Sequence, residues 1–339
     1  MTRLLILGGT SFLGYTLASE ALTQGWDVTT FNRGRTGHDV TGVKVIRGDR
    51  YISNDITRLA KSGLWDAVAD MSGYVPRNVL DVARTLRPAT GRYLFMSTVS
   101  VYADWPIKPL TEASKLLECP PDADDSYGED IEDGPTKYGY QKSGCEAAVQ
   151  LTFGADYSTV LRPGVVLGPR ENVGRLPWWL RRVSRGGHIL SPGTPERSIQ
   201  PVDVRDVALF ALDCVTDNTS GAFNVTAPIG AATFGGLLDD CASTTGSDPQ
   251  FVWVPDDVLI RAGVRQWSEL PLWRSYPGVW QVNSGLAYAR GLTCRPLSET
   301  VRDTWEWLLA SPAPKDNERS GEIGLNPTRE QDLLRSLTM

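Results

Sequence analysis

The stretch Leu4-Leu5-Ile6-Leu7-Gly8-Gly9-Thr10-Ser11-Phe12-Leu13-Gly14 constrains this chain more than any other. Four consecutive apolar residues predict a strand buried on both faces. Gly8 and Gly9 then let the backbone turn sharply and come close to a ligand. From Phe12 the periodicity becomes helical, through Leu13, Leu17 and Leu22, with Gly25 placed to end the helix. Strand, glycine turn and helix N-terminus form the geometry that holds a pyrophosphate. Free backbone N–H groups and the positive end of the helix dipole face the anion. The competing reading is a plain tight turn between strand and helix. A Walker A loop is excluded, because no Gly-Lys-Ser/Thr follows.

Strand-like segments recur at 26–31, 43–49, 64–73, 92–102, 157–170, 221–226 and 251–254. Helical patterns lie after Pro76, over 136–148 and 175–185, after Thr233, and over 300–310 and 327–337. Alternating strands and helices predict an α/β fold with a parallel, doubly wound sheet, which binds ligands at the carboxyl ends of its strands. Ser97, Thr98 and Ser100 fall at such an end. Met71 and Ser72, at the end of another strand, are placed so that a cofactor can lie across it.

The second strand ends at Asn32-Arg33-Gly34-Arg35, where an adenosine ribose would be read. An acidic residue there would bond the 2′-hydroxyl of NAD, and none is present. Arg33 and Arg35 either grip the 2′-phosphate of NADP or are two solvated loop arginines. Tyr138 and Lys142 are four residues apart, hence neighbours on one helix face.

The net charge of −6 creates no general field for nucleic acid. Five scattered cysteines, with only His38 and His188 beside them, give no metal-ligand spacing and suggest reduced thiols in a cytoplasmic protein. The first apolar run is too short for a signal peptide, and none approaches the ~20 residues of a membrane span. The acidic stretch 118–134 reads as a solvated surface loop rather than a metal site. Arginines 175, 181, 182 and 185 form either the solvated face of an amphipathic helix or a contact for an anionic substrate group. Trp267, Trp273, Tyr276 and Trp280 either pack a small lobe or line a substrate cleft.

As an ordered set, these features resemble the extended short-chain dehydrogenase/reductase family, also called NAD(P)-dependent epimerase/dehydratase proteins. The likeness covers roughly residues 1–310. It rests on the turn 8–14, Ser97-Thr98 before Val101-Tyr102, Tyr138-x-x-x-Lys142, Leu161-Arg162-Pro163-Gly164, Gly168-Pro169-Arg170 and Gln200-Pro201-Val202-Asp203-Val204. Gly8-Gly9-Thr10-x-Phe12-Leu13-Gly14 is the form of a reductase-like subgroup that includes a plastid RNA-binding branch. The family's middle glycine is replaced by Ser11, which narrows the approach to the phosphates and adds a hydroxyl donor.

The resemblance implies a doubly wound Rossmann sheet with a smaller C-terminal substrate lobe. The dinucleotide-binding domain would span 1–168, with 196–215 returning to it. The substrate lobe would span 169–195 and 216–310, and a linker with a short helix 311–339. The implied catalytic trio is Thr98, Tyr138 and Lys142. Cofactor contacts would come from Gly8, Thr10, Ser11, Phe12, Leu13 and Gly14 at the turn, Asp49 at the adenine, and Met71 and Ser72. Tyr138, Lys142, Pro163 and Val165 would serve the nicotinamide end. The expected activity is NADP-linked, or NAD-linked, hydride transfer at a carbinol or ketone of a sugar-like or secondary-metabolite substrate. A sugar epimerase, in which the hydride leaves and returns, is the rival. A non-catalytic RNA-binding or regulatory protein on this fold is a second class. A dehydratase usually follows its threonine with Asp-Glu, whereas Val99-Ser100 follow Thr98. A homodimer through the helices flanking the Tyr-Lys segment is the implied assembly.

Overall fold

The computed structural model describes residues 1–132, 134–310 and 323–337, so Asp133 and most of the expected linker, 311–322, lie outside the described residues. The chain divides into two compact units. Unit 1 comprises Met1–Gly164, Val204–Thr226 and Gln281–Thr293. Its centre is a seven-stranded sheet of β1 (Arg3–Leu7), β2 (Asp27–Asn32), β3 (Lys44–Arg47), β4 (Trp65–Asp70), β5 (Thr90–Met96), β6 (Ser158–Pro163) and β11 (Gly221–Val225). The order is β11-β6-β5-β4-β1-β2-β3, and every pairing is parallel. The doubly wound sheet expected from the alternating pattern is therefore present.

The sequence explains the layers. Leu4 to Leu7 are all buried, as a central parallel strand requires. Helix α1 (Phe12–Thr23) buries a narrow face of small residues with one leucine, Gly14, Thr16, Leu17, Ala18 and Ala21, and packs on α6 (Val204–Thr216). Helices α2 (Ser53–Lys61), α3 (Pro76–Leu86) and α4 (Lys137–Phe153) contribute to the large core that includes Leu5, Trp65, Val68, Leu86, Tyr93 and Phe95. Pro76 opens α3, where its missing N–H costs nothing. The fifth strand is shorter than the expected 92–102. It ends at Met96, and a 3₁₀ turn over Val99–Val101 follows, capped by the Thr98 hydroxyl.

Unit 2 comprises Val165–Asp203, Ala227–Trp280 and Cys294–Met339. It holds three two-stranded ladders: β7 (Val166–Leu167) with β10 (Val202–Asp203), β8 (Gly187–Pro192) with β13 (Pro249–Val254), and β9 (Ser198–Ile199) with β12 (Ala232–Thr233). Helices α5 (Arg175–Ser184), α7 (Phe234–Thr245) and α10 (Leu297–Ala310) pack together. The short α8 (Asp256–Arg261) lies in unit 2 and α9 (Gly285–Tyr288) in unit 1, while α11 (Pro327–Leu337) packs on β8. The partition differs from the one expected from sequence. Residues 216–226 and 281–293 belong with the sheet, because β11 pairs with β6 and Asn283 bonds into the same layer, while 165–168 and 196–203 fall in unit 2, where β7 pairs with β10.

Candidate active site

The glycine turn sits at the carboxyl end of β1, beside the point where strand order reverses between β1 and β4. Gly8 and Gly9 have φ of 113° and 100°, a region that other residues enter only with strain. A Cβ on Gly14 would lie 2.9 Å from the Gly9 nitrogen, so the turn folds directly onto the first turn of α1. Ser11 is the N-cap of α1, yet its hydroxyl makes no capping bond. Helix N–H groups that a cap would occupy are thus left for a ligand. Phe12 and Leu13 start the helix, and the Thr10 hydroxyl bonds the Thr36 hydroxyl at 2.9 Å. This cradle of backbone donors fits a dinucleotide pyrophosphate.

At the far end of β2, Arg33 is half-exposed with Nη1 3.8 Å from Asp49 Oδ2, and Arg35 is exposed. The Asp49 N–H donates to Asp55 Oδ2 at 2.8 Å, and Asp49 Oδ1 accepts from the Tyr51 N–H at 3.0 Å. The sequence shows no acidic residue next to Asn32, but the fold supplies one. Asp39 returns to accept from Asn32 Nδ2 at 2.9 Å and pairs with Arg47 at the end of β3. The hydrogen bond from Arg47 holds the Asp39 carboxyl below its usual range. No local pattern marks that contact, since its partners come from a loop and a different strand.

Residues 71–73 form a wall beside the turn. A Cβ on Gly8 would lie 3.6 Å from Met71 Cβ and 3.7 Å from Ser72 Cβ. The Met71 N–H and the Ser72 hydroxyl both donate to the Leu7 carbonyl, at 3.1 Å each. At the end of the wall, the Gly73 carbonyl accepts from Lys142 Nζ at 2.8 Å.

Lys142 is 3% exposed. Its ammonium also donates to the Met96 carbonyl at 2.7 Å and lies over the rings of Phe95 and Tyr74. Burial is the main reason its pKa falls to about 8. Tyr138 is half-buried one helical turn earlier, its ring centroid 6.3 Å from that of Tyr74. Thr98 is buried; its Oγ1 accepts from the Ser100 N–H at 3.2 Å and donates to Ser100 Oγ at 3.3 Å. A Cβ on Gly139 would lie 2.2 Å from the Ser100 carbonyl oxygen. Only glycine beside Tyr138 lets α4 approach the Thr98 turn this closely. The structure therefore brings together the elements that carry all three residues of the expected trio.

A second buried set holds them. Arg162 forks onto Glu146 with Nε 3.0 Å from Oε1 and Nη2 2.6 Å from Oε2, and the Ser97 hydroxyl donates to the same carboxylate. Arg162 Nη1 reaches Tyr102 Oη at 2.9 Å, which donates to Asn224 Oδ1 at 2.7 Å. Glu146 is four residues beyond Lys142, so the helical spacing that marks Tyr138 and Lys142 also contained this residue. Pro163 is buried at the end of β6, and the next N–H, of Gly164, donates to the Val225 carbonyl at 3.2 Å. Val165, in unit 2, is buried, and its carbonyl accepts from the Val202 N–H at 2.9 Å.

In unit 2 two of the four arginines of the basic stretch are paired within the fold. Arg182 is buried with Nε 2.7 Å from Glu330 Oε2. Arg175 pairs with Glu171 at 3.5 Å and lies over the Trp267 ring. Arg181 and Arg185 are exposed. Trp273 is fully buried, with Nε1 donating to Asp256 Oδ1 at 2.8 Å. In the acidic loop, Asp130 Oδ1 accepts from the Lys137 N–H at 2.9 Å at the start of α4. Among the described residues no group of three or more His, Cys, Asp or Glu could hold a metal. None of the described helices is long and apolar enough to cross a membrane.

A model of the NAD dependent epimerase/dehydratase family matches residues 4–226, more than half of the chain. The chain belongs to this family. The matched segment contains every residue of the trio and every expected cofactor contact. Among curated proteins, the chain is similar to the chloroplast stem-loop binding protein of 41 kDa b of Arabidopsis thaliana, at 24% identity over 267 residues and 74% of this chain. It spans 65% of that relative's length. Among solved structures it is similar to a UDP-glucose 4-epimerase, with a TM-score of 0.70 and 16% identity over 93% of this chain and 100% of the other. It is also similar to WbmG of Bordetella bronchiseptica, solved with NAD, with a TM-score of 0.68 and 19% identity over 91% and 94%. These two likenesses show that the epimerase/dehydratase chain has the doubly wound fold of those enzymes.

Proposed function

We propose that the protein is a nicotinamide-dependent oxidoreductase of the extended short-chain type, acting at a carbinol or ketone carbon of a sugar-like or secondary-metabolite substrate. The observation that carries this reading is the wall at 71–73, which packs against Gly8 through Met71 and Ser72 and anchors Lys142 through the Gly73 carbonyl. Contact of one segment with both the glycine turn and Lys142 supports a single ligand site for the phosphate cradle and the proton-transfer residues. A dinucleotide bound along that wall supplies the hydride chemistry.

The remaining work falls to the chain's own groups. Tyr138 moves the proton on the substrate oxygen as acid or base. Unperturbed tyrosine has a pKa of ~10, too high for a base near neutrality. The Lys142 ammonium on the same helix face favours the phenolate. Two of its N–H groups are fixed on carbonyls, and we assign the third to the nicotinamide ribose. Thr98, once its hydroxyl turns from Ser100 Oγ, donates to the substrate oxygen and orients it. Arg33 and Arg35 favour NADP over NAD by gripping the 2′-phosphate. The reading extends to a homodimer and a cytoplasmic location.

Two rivals are carried by the relatives. A sugar epimerase would use the same trio without net cofactor turnover, and likeness to a UDP-glucose 4-epimerase supports it. An RNA-binding protein is supported by the stem-loop binding relative. Incubation with NADPH and a panel of ketones and keto-sugars, followed at the nicotinamide absorbance, tests the leading reading. Net oxidation of NADPH is expected. Epimerised product from a nucleotide sugar supplied with the oxidised cofactor, with no net NADPH or NADH formed, would move the assignment to the epimerase.

A further inference from the structure

We propose that the buried Arg50–Asp70 pair is a positioning device for the nicotinamide half of the site: it fixes residues 71–73 and, through them, Lys142. The inference rests on the dinucleotide reading above and adds two residues to it.

Asp70 is fully buried at the last position of β4. All four acceptor directions of its carboxylate are filled. Oδ1 accepts from Arg50 Nη1 at 2.8 Å and the Ser72 N–H at 3.0 Å, and Oδ2 accepts from Arg50 Nη2 at 2.9 Å and the Tyr93 hydroxyl at 2.8 Å. Arg50 Nη1 also donates to Ser72 Oγ at 3.0 Å, and its Nε to Asn78 Oδ1, while Asn78 Nδ2 returns a bond to the Arg50 carbonyl at 2.7 Å. The pair thereby joins the loop after β3, the end of β4, β5 and α3.

The pair is poor value as a stabiliser, since a buried ion pair is often matched or bettered by apolar residues of similar size. What it supplies is geometry, because the bidentate fork tolerates little displacement. Ser72 is held through both its N–H and its hydroxyl. Gly73 is pressed between the pair and the core: a Cβ there would lie 3.0 Å from Asp70 Oδ2 and 2.7 Å from Phe95 Cε2. The Gly73 carbonyl then anchors Lys142. Loss of the fork would let 71–73 relax and carry the lysine with it, while the turn at Gly8–Gly9 keeps its own bond from the Gly8 N–H to the Phe31 carbonyl at 2.9 Å.

The test uses the full chain and two ligands, NADPH and adenosine 2′,5′-bisphosphate, the latter lacking the nicotinamide half. Arg50→Ala would strand a buried carboxylate and is avoided. The double variant Arg50→Met/Asp70→Leu removes both charges, and Tyr93→Phe removes one bond from the set. The double variant is expected to melt within about 5 °C of the parent. Its NADPH affinity should fall at least about tenfold, with less than about threefold change for adenosine 2′,5′-bisphosphate. Tyr93→Phe should show the same selectivity at about two- to fivefold, and it carries the test if the double variant does not fold. Parallel loss of both ligands, or no loss of either, overturns the proposal. A parent chain that binds neither ligand strikes the dinucleotide reading itself.

Discussion

Lys142 has an ordinary value of 10.5 in water and about 8 in the folded chain, because burial disfavours the ammonium. Between those values the unfolded chain holds a proton that the folded chain has lost. Stability from this group therefore rises with pH through that window, and the burial cost is carried in full below about 8. Function runs the other way. As the ammonium is lost, support for the Tyr138 phenolate goes with it. Turnover should fall on an alkaline limb near pH 8, and a pH–rate profile flat to pH ~10 would contradict that assignment. Tyr138→Phe should leave NADPH affinity nearly intact and cut turnover by roughly two to four orders of magnitude, read from the same carbonyl assay. Arg33→Ala should weaken NADPH binding about tenfold with NADH little changed; an equal effect on both cofactors would remove the 2′-phosphate contact. At this scale the sequence is legible where partners are close in number. Tyr138 and Lys142 stand out by helical spacing. Arg50 and Asp70 do not, because a residue after β3 and one ending β4 meet only through the sheet.

Among the elements, α4 does most to assemble the site. Its glycines at 139 and 144 bury backbone against the Ser100 carbonyl and against Cys119 and Pro76. Gly139→Ala should push the helix off the Thr98 turn, costing about 1–3 kcal/mol in urea unfolding and lowering turnover out of proportion to that loss. A variant with parent-like stability and activity would show that the close approach is dispensable. Helices and strands with strong apolar runs are readable: β1, β4, α1 and α3 fall where the pattern places them. Helix α2 escapes notice, since Ile56 and Leu59 are its buried side chains and so short a pair makes no clear stripe. The end of β5 at Met96 is not legible in the sequence, because Ser97 to Tyr102 continue the residue types of a strand. The Thr98 cap, not composition, stops it. The arginines of α5 could not be assigned from sequence either, because Glu330, the partner of Arg182, lies 148 residues away.

Taken whole, the chain places its proposed chemistry in a unit assembled from three separate stretches of sequence. Residues 1–164 carry the alternating pattern that announces a doubly wound sheet. Val204–Thr226 and Gln281–Thr293 return to that unit through β11 pairing and through Asn283, and long-range parallel pairing leaves no local signature to read. The central claim is that this unit binds a nicotinamide dinucleotide across the glycine turn and the wall at 71–73. Fluorescence titration of the purified chain with NADPH and NADH measures it directly. Saturable binding of both at one site per chain, with NADPH the tighter, is the predicted result. No binding of either dinucleotide, with tight binding of an RNA stem-loop in its place, would contradict it.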